Sequence, residues 1–222
     1  FCKYIETKTG AVFGMTQEEC QALPNGTEFI APFEDNNMKT YRDLLSALAQ
    51  MVGGFAYAAK DGTWKLRTFE NSSVVTIPKN RRMSGAKYSD YTTLYDTISY
   101  LEQSTGTVRV VGDAEGSLMS LGANPFLQYG SPDAIESRCR AIVNAIKHMT
   151  YTPYNAGLLP AFVGLDLGDV ISFESDYASE TTAGAVMMAT WTYNKSIKVQ
   201  CFGDNPALQS AQSKTEKDIS GL

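Results

Sequence analysis

The chain has 222 residues, 43% of them hydrophobic, and a net charge of −5. That length holds one large domain or two small ones and allows a sizeable buried core. The acidic balance argues against a general nucleic-acid binder, and no apolar run approaches the ~18 residues that span a bilayer, so neither specific nucleic-acid binding nor a membrane partner is expected.

The first stretch, "FCKYIE", reads as the end of a strand or helix. "MTQEECQALP" predicts a short helix capped by Thr16 and stopped before Pro24. Asn25-Gly26 is then read as a turn into a short strand over "TEFIAPF". The clearest element follows. Thr40 and Asp43 have capping-box spacing, and Leu44, Leu45, Leu48, Met51 and Val52 form one apolar stripe. Gly53-Gly54 ends that helix. "FAYAA" and "TWKLRTF" then pair around Asp61-Gly62, with Trp64, Leu66 and Thr68 on one face and Lys65 and Arg67 toward water.

"SVVTI" at 73–77 predicts a strand stopped by Pro78. "TLYDTISYLEQSTGTVRVVGD" reads as two strands with a turn near Ser104–Gly106. A short strand in "GSLMSLGANPF" breaks at Gly122. Ser131-Pro132-Asp133 starts a second helix, with an N-cap serine, proline at the first helical position and an acid at the positive dipole end. Its stripe is Ile135, Cys139, Ile142, Val143, Ile146 and Met149. Beyond Pro153 only strands are expected: a Gly-Asp turn at 168–169, then "AGAVMMATWTYN" and "SIKVQCFGDNP" as a hairpin turning at Asn194-Lys195. Residues 207–222 read as a polar linker, and the chain as a whole as an excerpt of a longer protein.

Reactive constellations are sparse. The single histidine, His148, lies at the C-terminal end of the second helix, where its favoured role is with the helix dipole. Cys139 sits nine residues earlier, ~13 Å away along a helix, too far for proton transfer. Cys2, Cys20, Cys139 and Cys201 form no CxxC motif and are read as separate reduced thiols; a Cys2–Cys20 bridge stays open. Asp166, Asp169, Glu174 and Asp176 cluster, and paired carboxylates suit glycoside cleavage. The first two flank a turn, however, where aspartate serves the backbone. Lys79, Arg81 and Arg82 read as a solvated loop, "GDAEG" at 112–116 as a plain loop, and the sequons at Asn25, Asn71 and Asn194 carry no weight. No catalytic, cofactor-binding or metal-binding residue is assigned. Tyr88–Tyr100 and Tyr151–Tyr154 are the runs to check for an exposed aromatic patch.

Three passages in order resemble phage and prophage tail hub proteins. "TYRDLLSALAQMVGGFAYAAKDGTWKLRTF" is similar to that family's helix-plus-hairpin segment. "LGANPFLQYGSPDAIESRCRAIVNAI" resembles its strand–Asn-Pro-Phe–helix passage, with Asn124, Pro125 and Phe126 in matching places. "YTPYNAGLLPAFVGLDLGDVISFES" and "MATWTYNKSIKVQCFGDNP" resemble its last barrel segment and closing hairpin. The resemblance covers about residues 38–206. It implies an α+β fold: an α/β hub domain over 1–150 with helix–hairpin units, an antiparallel β-barrel portion over 151–206, and the family's N-terminal barrel part lying outside this chain. It further implies a non-enzymatic homotrimeric ring at a virion tail tip, assembled in the bacterial cytoplasm. Such a ring joins the tail tube or a distal tail protein to a spike, fibre or lytic module and lets DNA pass. Mild acidity suits a ring through which phosphates slide. Two other classes are carried beside it: a tail-associated peptidoglycan-degrading enzyme using Asp166 and Glu174, and a carbohydrate-binding module using the tyrosines.

Overall fold

The computed structural model describes residues 1–31, 38–113, 116–174, 182–193 and 195–203. Four helices come in chain order as α1 (Cys2–Thr9), α2 (Gln17–Gln21), α3 (Tyr41–Met51) and α4 (Pro132–Ile146). Between α3 and α4 lie β1 (Gly54–Ala58), β2 (Trp64–Thr68), β3 (Ser73–Ile77), β4 (Lys87–Tyr88), β5 (Thr93–Glu102), β6 (Thr107–Gly112) and β7 (Ser117–Ser120). After α4 come β8 (Thr150–Tyr151), β9 (Tyr154–Leu158), β10 (Val170–Phe173), β11 (Thr182–Ala185), β12 (Met188–Trp191) and β13 (Ile197–Cys201). The fold is mixed helix and sheet, and among the described residues none of the four sheets closes on itself.

Two compact units result. The first takes in Phe1–Phe69, Asp96–Ala114 and Leu118–Lys147, and the second Glu70–Tyr95, Glu115–Ser117 and His148–Leu222.

In the first unit the helix starts follow local chemistry. Thr16 and Glu19, and likewise Thr40 and Asp43, form reciprocal capping boxes. Ser131 accepts from the Ala134 amide at 3.3 Å to cap α4. These side chains satisfy amide groups that have no partner within the helix. "FCKYIE" resolves as helix, with Ile5 its buried residue. On α3 the buried residues are Ala47, Leu48, Ala49 and Met51, while Leu44 and Leu45 are only half-buried. The apolar face of α4 is buried along Ile135, Cys139, Ile142, Val143 and Ile146, and the helix packs against β6 and α3.

A polar turn ties this core together. Asn124 donates to the Ala47 carbonyl and the Gln50 side-chain oxygen, both at 2.9 Å, and accepts from the Phe126 amide at 3.0 Å. Gln128 donates to the Leu101 carbonyl at 2.9 Å and accepts from the Gln103 amide at 3.0 Å. Arg138, almost wholly buried, donates to the carbonyls of Leu127 and Tyr129. Partnering of this kind is the condition for burying such groups at all. Phe126 and Leu127, between them, are fully buried.

Asn25 departs from its expected role. Its backbone is left-handed (φ 57°), but no strand follows over 27–31; residues 32–33 of the expected strand lie outside the described residues. Instead the Asn25 side-chain amide donates to the Met51 carbonyl at 2.8 Å and the Arg138 carbonyl at 3.2 Å. Asn-Gly is thus a staple between the end of α3, where carbonyls lack intrahelical partners, and the middle of α4. Asn25→Ala removes both bonds and puts an alanine in a left-handed conformation. A loss of about 2 kcal/mol is expected, read as a lower urea midpoint at unchanged slope; Asn25→Asp, which lacks the donor, should lose most of the same stability.

In the second unit β10 is the centre of a three-stranded sheet, antiparallel to β11 and parallel to β3. Its four residues are all buried, as a central strand covered on both faces requires. Hydroxyls bridge the parallel pair: Ser73 to Ser172 at 3.1 Å and Thr76 to Ser172 at 2.8 Å. The other sheet runs β12-β13-β9-β4. The expected single strand "AGAVMMATWTYN" is two strands in two sheets, β11 beside β10 and β12 beside β13. The chain changes sheet at Val186–Met187: the Val186 amide bonds the Asp169 carbonyl and the Met187 amide the Gln200 carbonyl. The β12–β13 hairpin forms as expected, with Asn194 outside the described residues.

Candidate interaction surface

Some of the groups that could carry catalysis have local partners. One Asp169 carboxylate oxygen accepts the Asp166 amide at 2.8 Å and the Asp169 amide bonds the Asp166 carbonyl, so this pair closes its own turn. Glu174 accepts the Lys79 amide at 2.9 Å. Asp176 lies outside the described residues. His148 is exposed just beyond α4, and its carbonyl accepts the Asn71 side chain. Burial pushes the Cys139 and Cys201 thiols up to about 12, which suppresses the thiolate that a nucleophile or metal ligand requires. Cys2 and Cys20 are unbridged and half-buried; burial raises both, and each lies in the field of a further anionic group. Among the described residues no three His, Cys, Asp or Glu side chains gather as a metal site. No helix among them is long and apolar enough to cross a membrane.

Of the three cations at 79–82, Arg82 is half-buried and partnered. Its guanidinium donates to the Tyr88 hydroxyl at 3.0 Å and the Glu174 carbonyl at 2.6 Å, and lies 5.9 Å from the Phe173 ring centroid. Lys79 and Arg81 are exposed. The tyrosine runs singled out in the sequence are not exposed patches. Tyr100, Tyr151 and Tyr154 are buried, and Tyr88 is the most open of the tyrosines in these runs. They line strands whose alternate side chains face a core.

Exposed apolar surface gathers instead on the β12–β13 hairpin. β12 is an edge strand with all four residues exposed. Met188 and Trp191 are 47% and 55% exposed, and Tyr193 just beyond is 77% exposed. Trp191 and Tyr193 meet edge-on with ring centroids 6.3 Å apart. The only charges between Thr182 and Gly203 are Lys195 and Lys198. Met188, three residues from Trp191, faces the other side of the strand; the Trp191–Tyr193 pair beside an open backbone edge has the character of a protein contact. In the first unit, α3 and β1 flank a separate open groove of about 560 Å³.

The sequence matches no protein-family model and no curated protein at a significant level. Solved structures do resemble it. The 43 kDa tail protein of prophage MuSo2 from Shewanella oneidensis is 11% identical, with a TM-score of 0.50 over 94% of this chain and 65% of that one. The chain has the fold of that prophage tail protein. A tail protein from Neisseria meningitidis MC58 is 10% identical, with a TM-score of 0.46 over 85% of this chain and 68% of that one. A prophage tail protein from Listeria monocytogenes EGD-e is 11% identical, with a TM-score of 0.45 over 85% of this chain and 61% of that one. The chain therefore spans about two thirds of the length of the tail proteins it resembles.

Proposed function

We propose that this chain is a structural part of a phage or prophage tail tip: a segment of a homotrimeric hub ring that joins the tail tube or a distal tail protein to a spike, fibre or lytic module and lets DNA pass. The observation that carries the reading is the fold likeness to the Shewanella prophage tail protein along 94% of this chain. Two features support it. The Asp169 and Glu174 carboxylates each accept a backbone amide, and the second unit presents an edge strand with Met188, Trp191 and Tyr193 exposed. A ring subunit needs open edges and apolar patches for its neighbours, because heterologous contacts between two different patches close a ring. In this reading the 151–206 division supplies most strands of the barrel portion, and β3 and β4 from the 1–150 division join them. The protein is a virion tail component and no enzyme.

Gold-labelled antibody against the chain tests the location on purified particles. Label at one end of the tail tube is expected; label on the head, or along the tube at regular spacing, contradicts a tip position. A second reading rests on one observation, the Trp191–Tyr193 pair, because exposed aromatics two residues apart can stack on sugar rings. Retention on a peptidoglycan column that Trp191→Ala abolishes would favour it over a purely structural role.

A further inference from the structure

The β1–β2 hairpin has two outer edges, and the molecule treats them differently. Along β2 the outer edge is occupied. The Trp64 amide donates to the Val12 carbonyl at 2.9 Å, the Gly14 amide donates to the Trp64 carbonyl at 3.0 Å, and the Leu66 amide meets the Met15 sulfur at 3.2 Å. Since Trp64 turns its backbone groups outward, its cross-strand partner Ala58 does so as well, because opposite residues in an antiparallel pair share the same orientation. By the two-residue period Ala56 and Gly54 follow. Among the described residues no group bonds these outward amides and carbonyls of β1.

That open edge faces a wall. Helix α3 lies against β1 rather than β2, and the open groove of about 560 Å³ between them is lined by Arg42, Leu45, Ala49, Ala56, Ala58 and Trp64 among others. Eleven helical residues extend about 16 Å and five strand residues about 17 Å, so the two walls match in length. Apart from Arg42, Gln50 and Tyr57 the lining is apolar or small. The charge in it is Arg42, an exposed side chain with no ion pair among the described residues. Lys65, on β2, is already held by Asp61 at 3.0 Å.

We propose that the α3–β1 groove is a strand-addition site that takes an extended segment of another polypeptide chain, with a carboxylate of that segment seated on Arg42. Main-chain bonds to Gly54, Ala56 and Ala58 supply affinity and the helix wall reads alternate side chains. Among the described residues no helix packs along the open edge at β12. Charge sets the partner's sign: Arg42 is the cation of the groove, and a guanidinium pairs with carboxylate through two parallel hydrogen bonds. The site stands independently of the tail-tip reading, since it requires neither a trimer nor a virion.

The test uses the full chain labelled with ¹⁵N and three synthetic probes: acetyl-Thr-Val-Asp-Val-Thr-Val-amide, the same peptide with Asn for Asp, and the acidic peptide N-methylated at alternate residues. The acidic peptide should shift the amide signals of Gly54, Ala56 and Ala58 and the Trp64 indole. N-methylation on the edge-facing residues should weaken binding at least tenfold. Arg42→Ala should remove a several-fold preference for the acidic peptide over the Asn peptide and leave the latter's binding unchanged; the exposed side chain makes this variant safe for folding. Equal binding of the methylated peptide, shifts confined to β12 or other surfaces, or no shift at millimolar peptide would each overturn the assignment.

Discussion

Replacing Phe126 with alanine should cost about 4 kcal/mol, the largest loss expected of a single side chain in this protein. The ring is fully buried and stands edge-on to Phe1 with centroids 4.8 Å apart. Its amide is fixed by the Asn124 side chain, which also holds the Ala47 carbonyl on α3. The turn around it supplies Leu127 and Tyr129 carbonyls to the buried Arg138 of α4. Truncation therefore leaves a void at a point where polar bonds keep the walls from collapsing inward, the circumstance in which cavity cost is highest. Phe126→Leu should cost less than half as much, because most of the volume stays filled. Urea unfolding of the full chain followed by circular dichroism reads both. A loss under about 1 kcal/mol for the alanine variant would mean that the Asn-Pro-Phe turn is not the anchor described here.

Gly54→Ala should be nearly as damaging, about 3 kcal/mol, for a different reason. A Cβ there would run into the Arg67 carbonyl oxygen and lie 3.0 Å from the Thr68 Cα, both backbone atoms of β2. Gly54 pairs with Thr68 at the end of the hairpin, and that backbone cannot yield without breaking the pair. Gly53 just before it has a left-handed backbone, φ 63°, and a Cβ there would also stand 3.0 Å from the Ala145 Cβ, so the turn between α3 and β1 needs Gly53 for conformation and Gly54 for space alone. Gly62→Ala is the informative control. It has positive φ but nothing within 4 Å of where a methyl group would stand, so only the conformational cost of roughly 1–2 kcal/mol applies. Equal losses at 54 and 62 would show that close approach is not the issue.

What was legible in the sequence was local. Helix starts at Thr16, Thr40 and Ser131 are written in side chains that bond within three residues of themselves, and all three stand in the structure. The Asp61-Gly62 hairpin and the Ser104–Gly106 turn are likewise decided by neighbouring residues: Asp61 accepts the Thr63 amide at 2.9 Å, and the Gly106 amide bonds the Glu102 carbonyl at 2.8 Å. What depended on partners far away in sequence was not legible. The parallel pairing of β3 with β10 joins residues about a hundred positions apart, and no periodicity in "SVVTI" announces it. Asn25-Gly26 has the composition of a hairpin turn, yet its side chain is claimed by carbonyls of Met51 and Arg138. "AGAVMMATWTYN" carries no charge and no break in its pattern, so nothing in it marks Val186–Met187 as the place where the chain leaves one sheet for another.

The surface was the least readable part. Tyrosine abundance pointed to residues 88–100 and 151–154, but strand alternation turns most of those rings inward. The exposed aromatics, Trp191 and Tyr193, are no more frequent or clustered in sequence than the buried ones. Their exposure follows from β12 being last in its sheet, a fact of topology. The turn at Asp166 and Asp169 was legible, by contrast: the Asp169 carboxylate accepts the Asp166 amide and the Asp169 amide bonds the Asp166 carbonyl.

Light scattering on the full natural polypeptide containing these residues tests the ring most directly. The hub reading predicts a mass of three chains that persists on dilution to low micromolar concentration, and its reduction to one chain by Trp191→Asp if the β12 edge lies in the ring contact. A monomer at all concentrations would contradict the hub ring.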